Sequence, residues 1–233
     1  GFGGVRESGF GREGGWEGLL AYLRPAGTAK ALKPVAPVPA PRDPVAEGLD
    51  RTAKLYIGGK QARPDGGYSR AVWSPKGRLL GHAGIGNRKD IRNAVEAAQA
   101  ARGWAKATAW NRAQVLYFLA ENLSARAAEF AGRLRDMTGR PGEGEVEAAI
   151  RRLFTYAAWA DKFDGAAKAV PIRGVALAMN EPVGVIGMIC PDEAPLLGLV
   201  SLVAPAVAMG NTCVVVPSDP FPLAATDLYQ VFD

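Results

Sequence analysis

The stretch "EPVGVIGMICPDEAPLLGLVSLVAPAVAMGNTCVVVPSD", residues 181–219, decides the fold class of this chain. Two apolar runs rich in β-branched residues, "VGVIGMIC" and "CVVVP", flank an apolar segment over residues 196–209 that is long enough for a helix. Strands without polar alternation are typical of a parallel sheet covered by helices. We therefore predict one βαβ unit of a doubly wound α/β fold, with strands buried on both faces. Two strands alone do not make a stable sheet, so we expect their neighbours from residues not present here or from another chain.

The segments before this unit predict an amino-terminal region of β-meander and helices. Residues 75–77, "PKG", supply turn chemistry between two short strands. Asn87, followed three positions later by Asp90, predicts a capped helix start. Two further helices, each with an apolar stripe and a charged opposite face, are expected over residues 111–137 and 145–163.

Composition and charge exclude several classes of function. The 233 residues are 48% hydrophobic and 22% charged, which is ordinary for a protein with a packed core. The net charge of +5 is spread along the chain without basic runs, so we expect no nucleic-acid partner. Residues 194–210 carry no charge, but they fall short of the roughly 20 residues that span a bilayer. We expect a buried helix there and no membrane partner.

The cysteines and the first residues of the sequence indicate the cellular compartment of the protein. Cys190 and Cys213 both lie inside apolar runs, which favours a reduced intracellular protein over a disulfide scaffold. The sequence begins with Gly and has no pattern of a signal or transit peptide, which suggests a fragment or a processed piece. We predict a cytoplasmic protein.

A glycine-rich stretch near the start, "GFGREG" at residues 9–14, has the G-x-G-x-x-G spacing of dinucleotide-binding loops. Only eight residues precede it, and they are too rich in glycine and charge to form the buried strand that such a loop requires. We therefore expect no cofactor there. The proline-rich residues 25–50 cannot build a core, so they predict a linker between two folded units.

Both sides of this linker resemble the aldehyde dehydrogenase superfamily. The stretch "FGGVRESGFGREGGWEGLLAYLR" is similar to the segment that ends a family member, whereas "TYAAWADKFDG" and "EPVGVIG" resemble the start of its cofactor-binding domain. A carboxyl-terminal tail followed by the amino-terminal half of another unit implies two units in tandem. This arrangement is similar to the two-unit family 16 type, whose second unit also has "CPDE" and "VPS". On this basis residues 1–24 are the tail of one unit, residues 25–50 the linker, and residues 51–233 the amino-terminal part of a second, Rossmann-type cofactor-binding domain.

The resemblance implies an oxidoreductase in which a cysteine thiolate attacks an aldehyde. Hydride then passes to NAD or NADP, and a glutamate-activated water releases the carboxylic acid. Neither that cysteine nor that glutamate is assignable in these residues. Cys190 matches a strand position of the cofactor domain, and we interpret it as a buried structural thiol, since the single histidine, His82, lies far away in the sequence. Phe2 matches a position lining the aldehyde entrance of the first unit, with a packing role as the alternative. No metal site is expected.

The resemblance also implies a degenerate cofactor site, made of Ile189, Cys190, Pro191, Asp192, Val216, Pro217, Ser218 and Asp219. Asp192 and Glu193 stand where family members have Trp-Asn, and that Asn amide donates to the oxyanion of the tetrahedral intermediate. Val216 stands where a lysine holds the adenosine ribose, whereas Asp219 still matches an acidic ribose contact. In the alternative interpretation these residues are purely structural: Asp192 and Glu193 cap one helix, and Ser218 and Asp219 cap the next without any ligand.

We therefore expect an NAD-dependent aldehyde dehydrogenase, with NADP as the other possible cofactor, that assembles as a homo-oligomer. Its second unit is expected to be structural, to do no chemistry and to bind NAD weakly or not at all. The alternative is a non-enzymatic scaffold in which both units have lost their chemistry and the protein acts through protein partners. A catalytic Cys and Glu in the first unit would decide for the enzyme.

Overall fold

The structure is a computed structural model, and it describes residues 52–163 and 165–232 together with residues 2, 3, 7, 12, 13, 22 and 23. The chain divides into two compact units, Gly1–Lys33 and Pro34–Asp233. Within Gly1–Lys33, strand β1 (Phe2–Gly3) pairs antiparallel with β2 (Arg12–Glu13). The predicted linker, residues 25–50, lies outside the described residues.

Two antiparallel hairpins open the described part of the second unit. Their strands are β3 (Leu55–Tyr56) with β4 (Gln61–Ala62) and β5 (Ser69–Trp73) with β6 (Leu79–Gly84). Gly77, in the turn between β5 and β6, has a φ of +76° that L side chains rarely adopt. The predicted turn at residues 75–77 is confirmed. Within residues 52–163, however, β4 and β5 belong to separate sheets, so the predicted meander is two hairpins.

A helical region follows the hairpins. Its elements are α1 (Arg88–Ala100), a 3-10 helix (Ala101–Lys106), α2 (Ala109–Ala125), α3 (Ala127–Thr138) and α4 (Glu143–Ala160). The predicted cap of α1 is confirmed, because the Asn87 side chain accepts from the N–H of Asp90 while the Asp90 carboxylate accepts from the N–H of Asn87.

The single helix expected over residues 111–137 is instead two helices that meet at Arg126. The Arg126 backbone, with φ −103° and ψ 13°, leaves helical geometry, and its N–H still bonds to the carbonyl of Asn122 at 3.2 Å. The Arg126 guanidinium is held by the Glu129 carboxylate in the first turn of α3, at 2.7 and 2.9 Å. The apolar stripe continues through the break, which is why periodicity alone did not reveal it.

The predicted βαβ unit is confirmed. After the short hairpin of β7 (Ala166–Lys168) and β8 (Ala176–Ala178), the chain forms β9 (Val185–Ile189), α5 (Pro195–Ala208), β10 (Thr212–Val216) and α6 (Leu223–Phe232). β9 and β10 are parallel, with Val185 opposite Thr212 and Ile189 opposite Val216. Among the described residues, no helix has both the length and the apolar character that crossing a membrane requires.

The core lies among the helices, with the β9–β10 pair at its edge. The large side chains that are almost fully buried come from α2 to α6 and from β5, and they are Phe130, Leu116, Leu123, Leu134, Met137, Leu196, Leu228, Val72 and Val146. The expectation that both strands are buried on both faces is wrong, because Ile189 is 82% and Val216 42% exposed. The other end of β10 is joined to α1, where the Thr212 hydroxyl donates to the carbonyl of Ala98. The described residues supply only two strands of this sheet.

Candidate functional site

The residues predicted to form a cofactor site lie together where β9 and β10 end. The pairing of the two strands continues to this edge, since the Cys190 N–H donates to the carbonyl of Val216 at 2.9 Å. In open α/β sheets, ligands bind at the carboxyl ends of the strands. The segments that leave this edge contain Pro191, Asp192 and Glu193 on one side and Pro217, Ser218 and Asp219 on the other.

Asp192 and Ser218 bond to each other across this edge. The Ser218 hydroxyl donates to Oδ1 of Asp192 at 2.7 Å. Ser218 is 1% exposed, so this hydrogen bond is shielded from water on one side. The interpretation of these residues as helix caps is wrong, because the N-cap of α5 is Ala194, which makes no capping bond, and α6 begins only at Leu223.

The amino terminus of α5 is capped by a residue that no sequence pattern identifies. Oε1 of Glu145, on α4, accepts from the N–H groups of Leu196 at 2.8 Å and Leu197 at 3.2 Å. Burial raises the pKa of Glu145, and the two N–H groups and the charge of Arg140 offset part of that rise. A cap from another helix leaves no local signal in sequence, so only packing reveals it.

The loop between β9 and α5 is held on both sides. Nη2 of Arg140 donates to the carbonyl of Glu193 at 2.8 Å. The ring of Pro191 lies against α5 at Gly198, where a Cβ would come within 2.5 Å of the proline Cγ. These contacts orient the backbone of the loop, and the half-buried Glu193 side chain remains at the position where the resemblance expects an amide donor.

The segment after β10 is held by the β5–β6 hairpin. Nη2 of Arg70, on β5, lies 3.1 Å from Oδ1 of Asp219, and it also donates to the carbonyl of the same residue. The Asp219 side chain is 93% exposed, so this ion pair adds little stability. It nevertheless occupies the carboxylate that was predicted as a ribose contact. Val216 presents only an apolar side chain to the same edge.

Cys190 is a buried thiol, as the sequence predicted. It is 5% exposed, and burial raises its pKa to about 11. Burial likewise raises the pKa of Cys213 to about 11. Both thiols are therefore protonated at neutral pH, whereas a nucleophilic cysteine requires a thiolate. His82 lies in β6, opposite Ala71 of β5.

Two further predicted features concern Phe2 and metal binding. Phe2 lies in β1, in the compact unit Gly1–Lys33, and its side chain is outside the described part of the chain. Among residues 52–163 and 165–232, no three His, Cys, Asp or Glu side chains gather as a potential metal site.

Comparison with known proteins gives a consistent family assignment. The aldehyde dehydrogenase family model matches residues 45–233. Retinaldehyde dehydrogenase 3 from Homo sapiens is 34% identical over 181 residues, which are 74% of this chain and 35% of that protein. The mitochondrial benzaldehyde dehydrogenase of Antirrhinum majus is 30% identical over 216 residues, or 88% of this chain and 39% of that protein.

A solved structure shares the fold. Betaine aldehyde dehydrogenase from Staphylococcus aureus, in complex with NAD+, matches with a TM-score of 0.75 and 25% identity, over 77% of this chain and 37% of that one. The chain thus spans well under half the length of the relatives it matches. The family model covers most of the sequence, and its match agrees with both the relatives and the fold. This chain therefore belongs to the aldehyde dehydrogenase family.

Proposed function

We propose that this chain is part of an NAD(P)-dependent aldehyde dehydrogenase of the two-unit family 16 type, whose second unit, residues 51–233, is structural and does no chemistry. The parent protein would oxidise aldehydes to carboxylic acids through a cysteine thiohemiacetal. Its catalytic Cys and Glu would belong to the first unit. Support for the reaction class comes from the family match over residues 45–233.

The observation that carries the proposal for the second unit is the carboxylate of Glu193 at the position where the resemblance expects an oxyanion donor. A donor there stabilises negative charge as it develops, and removal of one such donor costs about 100-fold to 1,000-fold in rate. Glu193 offers a carboxylate in place of that donor. One N–H of Arg140 donates to the backbone carbonyl of Glu193 and helps to fix the loop.

The residues at the end of the sheet fit a dinucleotide poorly. Val216 has no donor for a ribose hydroxyl, Ser218 donates to Asp192, and the Asp219 carboxylate is paired with Arg70. The first N–H groups of α5, which would otherwise suit an anion, are bonded to Glu145. We infer weak or absent binding of NAD, and equally of NADP, in this unit.

The structural role that we propose is support of a homo-oligomer in the cytoplasm. Apolar side chains on and beside β8 are largely exposed, with Val175 at 76%, Leu177 at 66% and Met179 at 68%. Exposed apolar groups of this kind favour contact with another protein surface. The two described cysteines are both free thiols, which suits a reducing compartment.

The experiment is a titration of the full-length polypeptide with NAD, combined with turnover of a panel of aldehydes. We expect activity with one NAD site per chain, and we expect Glu193→Asn and Val216→Lys to leave both unchanged. Turnover abolished or strongly altered by these substitutions would show that the second unit takes part in the reaction. No turnover in any variant would leave the scaffold as the correct description.

A further inference from the structure

The two chain segments that leave β9 and β10 are joined by one hydrogen bond, which we name the Asp192–Ser218 latch. The donor is the Ser218 hydroxyl and the acceptor is Oδ1 of Asp192, at 2.7 Å. The two residues belong to different segments, so the bond joins the loops at the carboxyl ends of two adjacent parallel strands. Ligands of open α/β sheets bind outside the carboxyl ends of the strands.

We propose that the Asp192–Ser218 latch prevents a dinucleotide from binding at this edge of the sheet. The inference rests on the proposed function, because it concerns why this unit binds NAD weakly or not at all. It adds a cause that is independent of Val216. A lysine at position 216 would supply one contact, but the Asp192–Ser218 bond would remain.

Each half of the latch is held in place by a cation from another element. Arg140, which precedes α4, donates to the carbonyl of Glu193, next to Asp192. Arg70, on β5, holds both the carbonyl and the carboxylate of Asp219, next to Ser218. The bond from Arg140 fixes the first segment, whereas the solvent-exposed pair with Arg70 restrains the second only weakly.

The bond also occupies the one proton that the Ser218 hydroxyl could donate to a ligand. A hydroxyl has one proton to donate, and the proton of Ser218 goes to Asp192. Ser218 is 1% exposed, so breaking the bond would leave a buried hydroxyl to find a new acceptor. A ligand that had to break this charge-assisted bond would lose about ten- to a hundredfold in affinity.

The test measures NAD+ binding to the full-length protein by isothermal titration calorimetry, which reports both the number of sites and their affinity. The background variant is Val216→Lys. Adding Asp192→Ala is expected to create a second class of NAD+ sites, with affinity about ten- to a hundredfold above that of Val216→Lys alone. Ser218→Ala removes the same bond from the other side and should raise affinity in the same direction.

Asp192→Asn separates the hydrogen bond from the charge. An Asn side chain still accepts from Ser218, so Asp192→Asn with Val216→Lys should bind NAD+ as weakly as Val216→Lys alone. A gain equal to that of Asp192→Ala would assign the exclusion to charge and overturn the latch. As a control, Asp161→Ala removes a carboxylate that pairs with Lys162 at the other end of α4, and it should change nothing. Circular dichroism confirms that each variant is folded.

The wild-type titration separates the latch from the proposed function. A second NAD+ site in the wild-type protein would overturn the proposal that this unit binds NAD weakly or not at all. A wild-type protein without that site, combined with no gain from either Asp192→Ala or Ser218→Ala, would overturn the latch alone.

Discussion

Glu145 links two helices through a single carboxylate. It lies in the first turn of α4, and its Oε1 accepts from two backbone N–H groups at the start of α5. The α5 sequence has no acidic residue in its first turn and no capping side chain, so Glu145 supplies the acceptor that this helix end needs. The position of the loop at residues 191–194 thus depends on a residue about fifty positions earlier in the chain.

Burial makes the charge of Glu145 costly, and this cost should appear as a pH dependence of stability. Burial raises the pKa of Glu145 above its ordinary value of 4.5. A raised pKa in the folded state means that the contribution of Glu145 to stability is fully present below pH 4.5 and is lost as pH rises through the raised value. Relative to Glu145→Gln, which keeps an acceptor oxygen but does not titrate, the wild-type protein should lose stability over that range.

Urea unfolding at a series of pH values from acid to neutral would measure this difference. Glu147→Gln is the matched control, since Glu147 lies in the same turn, in water, paired with Arg151 at 2.9 Å. Glu147→Gln keeps Glu145, so the difference in stability between this variant and the wild type should not grow as pH rises. A difference between wild type and Glu145→Gln that stays constant with pH would contradict the prediction.

At the scale of elements, α5 is held at both ends by side chains from the helical region. Nε1 of Trp104 donates to the carbonyl of Val207 and Nε of Arg112 to the carbonyl of Ala208, both at 2.9 Å. The carbonyls of Pro205, Ala206 and Val207 also accept from backbone N–H groups of residues 209–211, just beyond the helix. Side chains from α2, α4 and the 3-10 helix therefore complete the capping of α5.

The approach of α3 to the start of α4 is close enough to exclude any side chain at Gly142. A Cβ on Gly142 would lie 2.4 Å from the carbonyl oxygen and 2.9 Å from the Cα of Ala131. Both atoms belong to the α3 backbone, which cannot move without disturbing the core. We expect Gly142→Ala to lower the free energy of unfolding by about 1–3 kcal/mol, as other overpacked sites do.

Gly144→Ala is the control, two residues further along. No atom lies within 4 Å of a Cβ placed there, and alanine in a helix should be neutral or stabilise by about 0.4–1 kcal/mol. Denaturant unfolding of both variants gives the comparison. Equal effects at the two glycines would mean that the helices are not packed as closely as described.

On the scale of the whole second unit, the helices form the core and the sheet lies at its margin. Phe130, on α3, is 1% exposed, whereas Phe118, on α2, is 62% exposed. The guanidinium of Arg126 lies 5.5 Å from the centre of the Phe130 ring. This burial predicts a large difference between two substitutions that are chemically identical.

Phe130→Ala should lower the free energy of unfolding by about 3–5 kcal/mol, because it opens a cavity in the helical core. Phe118→Ala removes the same atoms from a side chain in water, and the expected change is below about 1 kcal/mol. Urea unfolding followed by circular dichroism measures both. A loss at Phe118 as large as that at Phe130 would show that α2 packs against a further surface.

The features that the sequence predicted correctly depend on residues close together in the chain. The order of β9, α5 and β10 follows from apolar runs, the start of α1 from Asn87 and Asp90, and the β5–β6 turn from Gly77. The buried state of Cys190 follows from its position in an apolar run. The prediction of strands covered on both faces failed at Ile189, because apolar character does not reveal which neighbours are present.

The sequence by itself determined the family, the α/β class and the identities of Glu193 and Val216, because these depend on residue type and local pattern. Only the tertiary structure decided which distant residues contact each other around them. Ser218 bonds to Asp192 at a separation of 26 residues, Glu145 to Leu197 at 52, and Arg70 to Asp219 at 149. Hydrogen bonds and ion pairs between distant elements are set by how helices and strands pack, and no periodicity within a short window carries that information.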